Sequence, residues 1–129
     1  MYANILVAVD GSEASKYAVS EAIRIAKLSG GKLTAVHVLD QSAAFTMSLA
    51  LEVAKHGVTV NTVSPGYLAT AMTAAIPNDV MDARILPQIP VGRLGQPDEI
   101  AALVSFLCSD DAGLITGADF AINGGMHMR

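Results

Sequence analysis

The sequence is poor in cysteine and in charge, and it lacks a hydrophobic run long enough to cross a membrane. Cys108 is the single cysteine of 129 residues, so an internal disulfide is excluded, and its apolar helical setting indicates a buried structural thiol rather than a nucleophile. Charged residues make up 16% of the chain and the formal net charge is -4. Without a basic cluster, nucleic-acid binding is not expected. No apolar run approaches the roughly 20 residues that a spanning helix needs.

The composition also sets expectations for location and assembly. We find no charged leader followed by an apolar core and a cleavage site, so we expect a cytoplasmic protein. Apolar residues make up 52% of the chain and the mean hydropathy is +0.45, which is high for a small domain. We therefore expect a partner chain to cover part of the apolar surface. His37, His56 and His127 lie far apart without a second ligand at metal spacing, so no metal site is expected.

The stretch ILVAVDGS at residues 5–12 is the element around which the chain is organised. Its unbroken apolar run predicts a strand buried on both faces of a parallel sheet. Ser12 can cap a following helix, which Gly30 and Gly31 end, and residues 33–39 then have the composition of a second strand. Residues 5–39 are thus predicted to form one strand-helix-strand unit with a right-handed crossover.

Residues 4–40, through the motifs ILVAVDGSEAS and LTAVHVLD, resemble the first third of a universal stress protein. The resemblance implies an α/β sandwich in which many members bind ATP at the carboxyl ends of the first strands. It places Asp10 at the acidic position near the nucleotide and Val38 where the second strand meets adenine. The family's glycine-spaced phosphate loop is absent, so a triphosphate would lack its cradle of backbone N–H groups. We therefore favour a simple strand-to-helix turn with a capping serine at residues 10–12.

The pattern changes after residue 40. Residues 43–56 have the spacing of an amphipathic helix that Gly57 ends, and residues 58–63 are β-branched like a strand that residues 64–66 break. A long, proline-punctuated excursion follows at residues 67–95, with one short helix expected at 79–86; such segments are usually lids or disordered. Pro97 opens the clearest helix of the chain, and residues 118–122 form a short final strand.

Residues 45–128 resemble the carboxyl-terminal part of a short-chain dehydrogenase/reductase, in the branch of acetoacetyl-CoA and 3-oxoacyl-carrier-protein reductases. The matching stretches are HGVTVNTVSPGYLATAM, IPVGRLGQPDEIAALVSFLCSDDAG and ITGADFAINGG. The resemblance implies that Pro65, Gly66 and Thr70 border the nicotinamide end of NAD(P) and that the next segment forms a substrate lid. It also implies a subunit interface through the helix at residues 97–108 and the final strand, hence a homodimer.

The residues that this family needs for catalysis are missing. Its acid/base Tyr and the Lys four residues later align with Ala35 and Leu39, and no Tyr-x-x-x-Lys occurs in the chain. The glycine-rich dinucleotide loop is also absent after the first strand. We therefore expect no enzymatic activity and no catalytic residues.

We interpret the chain as a recombined or engineered α/β scaffold in which two families join near residues 40–44. A degenerate natural reductase is the alternative, which the sharp change of resemblance disfavours. The predicted fold is a single domain over residues 1–129: a three-layer α/β/α sandwich, Rossmann- or flavodoxin-like, with a four-stranded parallel sheet in the order 2-1-3-4. Two other functions stay open, namely weak ATP or NAD(P) binding at the carboxyl ends of the strands and residual NADPH-dependent reduction of acetoacetyl-CoA or a 3-oxoacyl substrate.

Overall fold

The computed structural model describes residues 4–9, 13–37 and 43–128. In this part of the chain the strands are β1 (Asn4–Val9), β2 (Lys32–His37), β3 (Thr62–Pro65) and β4 (Asp119–Ile122). The α-helices are α1 (Glu13–Ser29), α2 (Ala43–Val53), α3 (Ala71–Ala74), α4 (Asn78–Val80) and α5 (Pro97–Leu107). Shorter helical turns follow α2, α4 and α5: Ala54–His56, Met81–Ile85, Leu86–Gln88 and Asp110–Ala112. None of the described helices is long and apolar enough to cross a membrane.

The first unit has the predicted strand-helix-strand order. β1 and β2 are parallel with Val7 opposite Ala35, and α1 packs against both strands. Val7 is buried among α1 residues of the core, but its neighbour Leu6 is 53% exposed. The prediction that this strand is buried on both faces is therefore wrong at Leu6. The reason is that successive side chains of a strand point to opposite faces, so that α1 covers the face of Val7 and not the face of Leu6.

The described strands form two parallel pairs, β1 with β2 and β3 with β4. The α/β class and the parallel direction of the strands agree with the sequence prediction, whereas the order 2-1-3-4 is not confirmed. β2, rather than β1, is the strand of the first pair that packs closely against β3. The contact between the two parts of the chain includes a hydrogen bond in which the Thr59 hydroxyl donates to the Leu33 carbonyl at 3.4 Å. The three-layer arrangement stays a prediction.

The third strand begins four residues later than predicted and includes Pro65, which was expected to break it. Residues 58–61 are buried, yet their polar groups bond to the turn before β4. Val60 N–H donates to Thr116 Oγ1 at 3.0 Å, and the Asn61 side chain bonds the Ile115 carbonyl at 2.9 Å and the Ala118 N–H at 3.2 Å. Bonds to residues 115–118, distant in sequence, thus decide where the strand begins. Pro65 is tolerated because the N–H groups that bond β4 come from alternate residues, among them Thr62 and Gly66, so position 65 needs no donor there.

One hydrophobic core contains residues from both parts of the chain. Its buried members are Val7, Val19, Ala22, Ala26 and Leu33 from the first part and Ala50, Val53, Val58 and Val60 from the second. A polar link joins the same two parts at the surface, where Lys32 Nζ lies 2.9 Å from Asp110 Oδ1. The two parts therefore contribute to one buried cluster, and a single domain over residues 1–129 stays a prediction.

The excursion between β3 and α5 is more helical than expected. The predicted helix at 79–86 is observed as α4 and the two turns that continue it, and α3 precedes it. A pair of backbone bonds closes the base of the excursion: Gly95 N–H donates to the Tyr67 carbonyl at 2.9 Å and Ala69 N–H to the Gly95 carbonyl at 2.8 Å. These bonds make residues 67–95 a closed loop anchored beside β3.

Candidate functional site

An open groove of about 520 Å³ lies where the excursion leaves β3. Thr70 lines it together with α3, the start of α4 and Leu94. Thr70 is the residue before α3, where its N–H donates to Thr73 Oγ1 at 2.9 Å. Of the predicted cofactor residues that the structure describes, Thr70 is the one that reaches this groove.

Pro65 and Gly66 end β3 beside β4 rather than in the groove. Gly66 N–H donates to the Ile122 carbonyl at 3.1 Å, which extends the pairing by one residue. A Cβ atom at Gly66 would lie 2.8 Å from Asn123 Cα, closer than real contacts allow. Close packing against the turn after β4 is therefore sufficient to require a glycine at position 66, and no ligand is needed to account for it.

Ser64, on β3, is bonded across the strand pair. Its hydroxyl lies 2.7 Å from Asp119 Oδ1 on β4. Its role in the described part of the chain is thus a cross-strand bond.

Asp10 and Val38, the two residues assigned to ATP, lie outside the described residues. Leu39, which occupies the position of the family's Lys, also lies outside them. Ala35, at the position of the family's Tyr, belongs to β2, and its backbone is paired with Val7. The residues that the structure describes do not by themselves form a dinucleotide cradle, and we assign no step to a nicotinamide cofactor.

A second, smaller cavity of about 170 Å³ lies on the other side of the base of the excursion. Its rim holds a bidentate ion pair in which the Arg93 guanidinium bonds both Glu99 carboxylate oxygens, at 2.7 and 2.8 Å. Glu99 also accepts the Gln96 N–H at 2.7 Å, so it caps α5. The Arg93 side chain first, and then this backbone bond, lower the pKa of Glu99 to about 2.

Metal and thiol chemistry find little support in the described residues. No group of three or more His, Cys, Asp or Glu in that part of the chain could hold a metal ion. Cys108 is half-buried directly after α5, where its N–H donates to the Val104 carbonyl at 3.0 Å.

Residues 41–127 match the family described as enoyl-(acyl carrier protein) reductase. Over this stretch, the chain belongs to the enoyl-(acyl carrier protein) reductase family. Residues 1–63 match the universal stress protein family, and the two matches overlap at residues 41–63. The predicted combination of two families in one chain is therefore confirmed.

The similar curated proteins are reductases and match the second part of the chain. Acetoacetyl-CoA reductase of Cupriavidus necator is 61% identical over 84 residues, and that of Shinella zoogloeoides is 59% identical over 81 residues. The 3-oxoacyl-[acyl-carrier-protein] reductase FabG of Vibrio cholerae is 55% identical over 84 residues. These alignments cover 63 to 65% of this chain. The chain spans about a third of the relatives' length, 34% in each case.

The sequence analysis missed the residues of the smaller cavity. Neither Arg93 nor Glu99 was singled out as a site residue. The usual signal for a helix cap with a returning Glu is a Ser or Thr three residues earlier, but Gln96 holds that place. The spacing of Arg93 and Glu99 becomes meaningful only when the loop folds back onto α5.

Proposed function

We propose that this chain is a non-catalytic α/β scaffold that keeps the carboxyl-terminal part of a reductase on a stress-protein-like beginning. The observation that carries this proposal is the strand that precedes α2. Where the family has its acid/base Tyr, this chain has Ala35, which belongs to a strand supplied by the other family. An aliphatic side chain cannot donate the proton that carbonyl reduction needs.

The test is an assay of purified protein with NADPH and acetoacetyl-CoA, followed by loss of NADPH absorbance. The expected result is no turnover above the rate without protein. Turnover that scales with protein concentration and persists after a second purification step would contradict the proposal. A full-length acetoacetyl-CoA reductase serves as the positive control for substrate and cofactor.

A second candidate function is weak binding of ATP or NAD(P) at the open groove. Thr70 supports it, because it lines a groove of about 520 Å³ in the segment that follows β3. Against it stands the absence of any glycine-rich phosphate loop in the sequence. Calorimetric titration with ATP and, separately, with NADPH distinguishes the two functions. Heat of binding that Thr70→Ala abolishes favours the binding module, and no heat with either nucleotide favours the inert scaffold.

We further propose that the scaffold is a homodimer through α5 and β4. The exposed residues of α5 include Ala101, Ala102 and Phe106, and the described part of the chain leaves Phe106 45% exposed. Exposed apolar surface of this kind favours association. Phe106→Glu should halve the mass in solution measured by light scattering, whereas an unchanged mass would contradict this interface.

A further inference from the structure

The smaller cavity has walls that come from four separate segments. Its apolar lining consists of Leu68, Ile89, Val91, Ile100 and Ile122. Backbone hydrogen bonds hold these segments together: Val91 N–H to the Gly124 carbonyl at 3.1 Å and Gly95 N–H to the Tyr67 carbonyl at 2.9 Å. These bonds fix the spacing of the backbone around the cavity.

Gly95 and Gly124 allow the walls of the cavity to pack closely. A Cβ atom at Gly95 would lie 2.8 Å from Leu68 Cδ2, and one at Gly124 would lie 2.7 Å from Ile89 Cγ2. Gly124 also has a φ of +64°, which a larger residue adopts only with strain. The cavity is thus a consequence of closely packed backbone rather than of a loose loop.

The polar groups on the rim are almost all used. Arg93 and Glu99 bond each other, and the Asn123 side chain bonds the Gly125 N–H and the His127 carbonyl, both at 3.0 Å. Tyr67, 38% exposed, is different, because within the described part of the chain its hydroxyl makes no hydrogen bond. The lining therefore combines an apolar interior, a charged pair that compensates itself, and one tyrosine whose hydroxyl has no partner among the described residues.

We propose that this cavity binds a small neutral molecule with an apolar ring or branched chain and one polar group that hydrogen-bonds to Tyr67. A cavity of about 150 Å³ lined by aliphatic and aromatic side chains holds a benzene molecule. The 170 Å³ here therefore suits one six-membered ring with a single substituent. A charged ligand is disfavoured because Arg93 and Glu99 neutralise each other.

This site is separate from the nucleotide groove. The two spaces share no lining residue, and Thr70 belongs to the groove alone. Failure of nucleotide binding therefore leaves this proposal intact, and the reverse also holds.

The test uses phenol and benzene as probes in an NMR titration of the ¹⁵N-labelled full chain. We expect saturable shifts at the amides of Gly95, Gly124 and Ile100, with a Kd for phenol on the order of 1 mM, as is usual for so small a ligand. Tyr67→Phe should weaken phenol by about 3- to 10-fold and leave benzene unchanged, because it removes one hydrogen bond. Tyr17→Phe, at an exposed position on α1, is the matched control and should change neither.

A second variant tests the cavity itself. Ile100→Phe adds a ring to the lining and should abolish binding of both probes while the spectrum stays dispersed. Absence of saturable shifts at the cavity amides up to about ten times the expected Kd would overturn the proposal. Equal weakening of phenol and benzene by Tyr67→Phe would also overturn it, and this outcome can be read even if Ile100→Phe fails to fold.

Discussion

Leu33→Ala tests whether the two parts of the chain fold as one cooperative unit. Leu33 belongs to β2, in the stress-protein-like part, and is 1% exposed. It lies in the same core cluster as Val53, Val58 and Val60 from the reductase part. Removing its side chain therefore takes apolar contacts away from a core that both parts share.

The magnitude follows from burial. The substitution deletes three buried carbon groups, and at about 0.8 kcal/mol for each buried methylene the transfer loss is about 2.4 kcal/mol. The cavity left behind adds a further loss that depends on how far the site relaxes, so the total falls within the range of about 2–5 kcal/mol. Against a typical stability of about 5–15 kcal/mol, this change is easily measured.

The assay is urea unfolding followed by NMR peak intensities, which resolve the two parts separately in a protein without tryptophan. Val19 reports on the first part and Leu107 on the second. Both midpoints should fall together in Leu33→Ala. The matched control is Leu28→Ala on α1, where the side chain is 74% exposed and the expected change is within about 0.5 kcal/mol.

Two outcomes would refute the shared core. One is separate unfolding transitions for Val19 and Leu107 in the unmodified chain. The other is a shift confined to Val19 in Leu33→Ala, because that would mean that the reductase part is stable without the first unit.

Three further predictions concern single side chains. Asn61 is 1% exposed, and Asn61→Ala should lower the free energy of unfolding by about 1–3 kcal/mol, since it leaves the half-buried Ile115 carbonyl and Ala118 N–H without their side-chain partner. A change as small as that of exposed Asn78→Ala would count against it. Glu99 has a pKa lowered to about 2, so its contribution to stability is present above about pH 4.5 and is lost as the pH falls towards 2. The stability difference between the unmodified chain and Glu99→Gln should therefore shrink over that interval, and a difference independent of pH would contradict the ion pair's role. Leu103→Glu, at a half-buried position of α5, should lower the melting temperature because it forces a charge into an apolar contact; unchanged melting and unchanged mass would show that this face of α5 is not covered.

Local sequence signals predicted most of the elements, because those signals act within a few residues. The apolar run of β1, the spacing of α1 and the proline that opens α5 all correspond to observed elements. Gly57, with a φ of +71°, ends the helical segment where it was expected to. The start of β3 could not be predicted in this way, since it depends on bonds to residues more than 50 positions later.

The candidate sites were less predictable than the elements. Thr70 was found through a family motif and does line a groove, whereas Gly66 was assigned to a cofactor and packs against Asn123. That contact joins segments 57 residues apart, so no local pattern could reveal it. The cavity beside Tyr67 depends in the same way on the closure of residues 67–95 by backbone bonds.

The sequence alone determined that this chain combines two α/β families and that it lacks the Tyr-x-x-x-Lys pair of the reductases, because motifs are properties of residue order. Tertiary structure alone decided that β1 exposes Leu6 and that β2 faces β3. It also decided that a ring-sized cavity lies between the excursion, α5 and β4. Strand neighbours and cavities depend on which distant segments meet in the folded chain, and that is set by the packing of the shared core and the backbone bonds between segments.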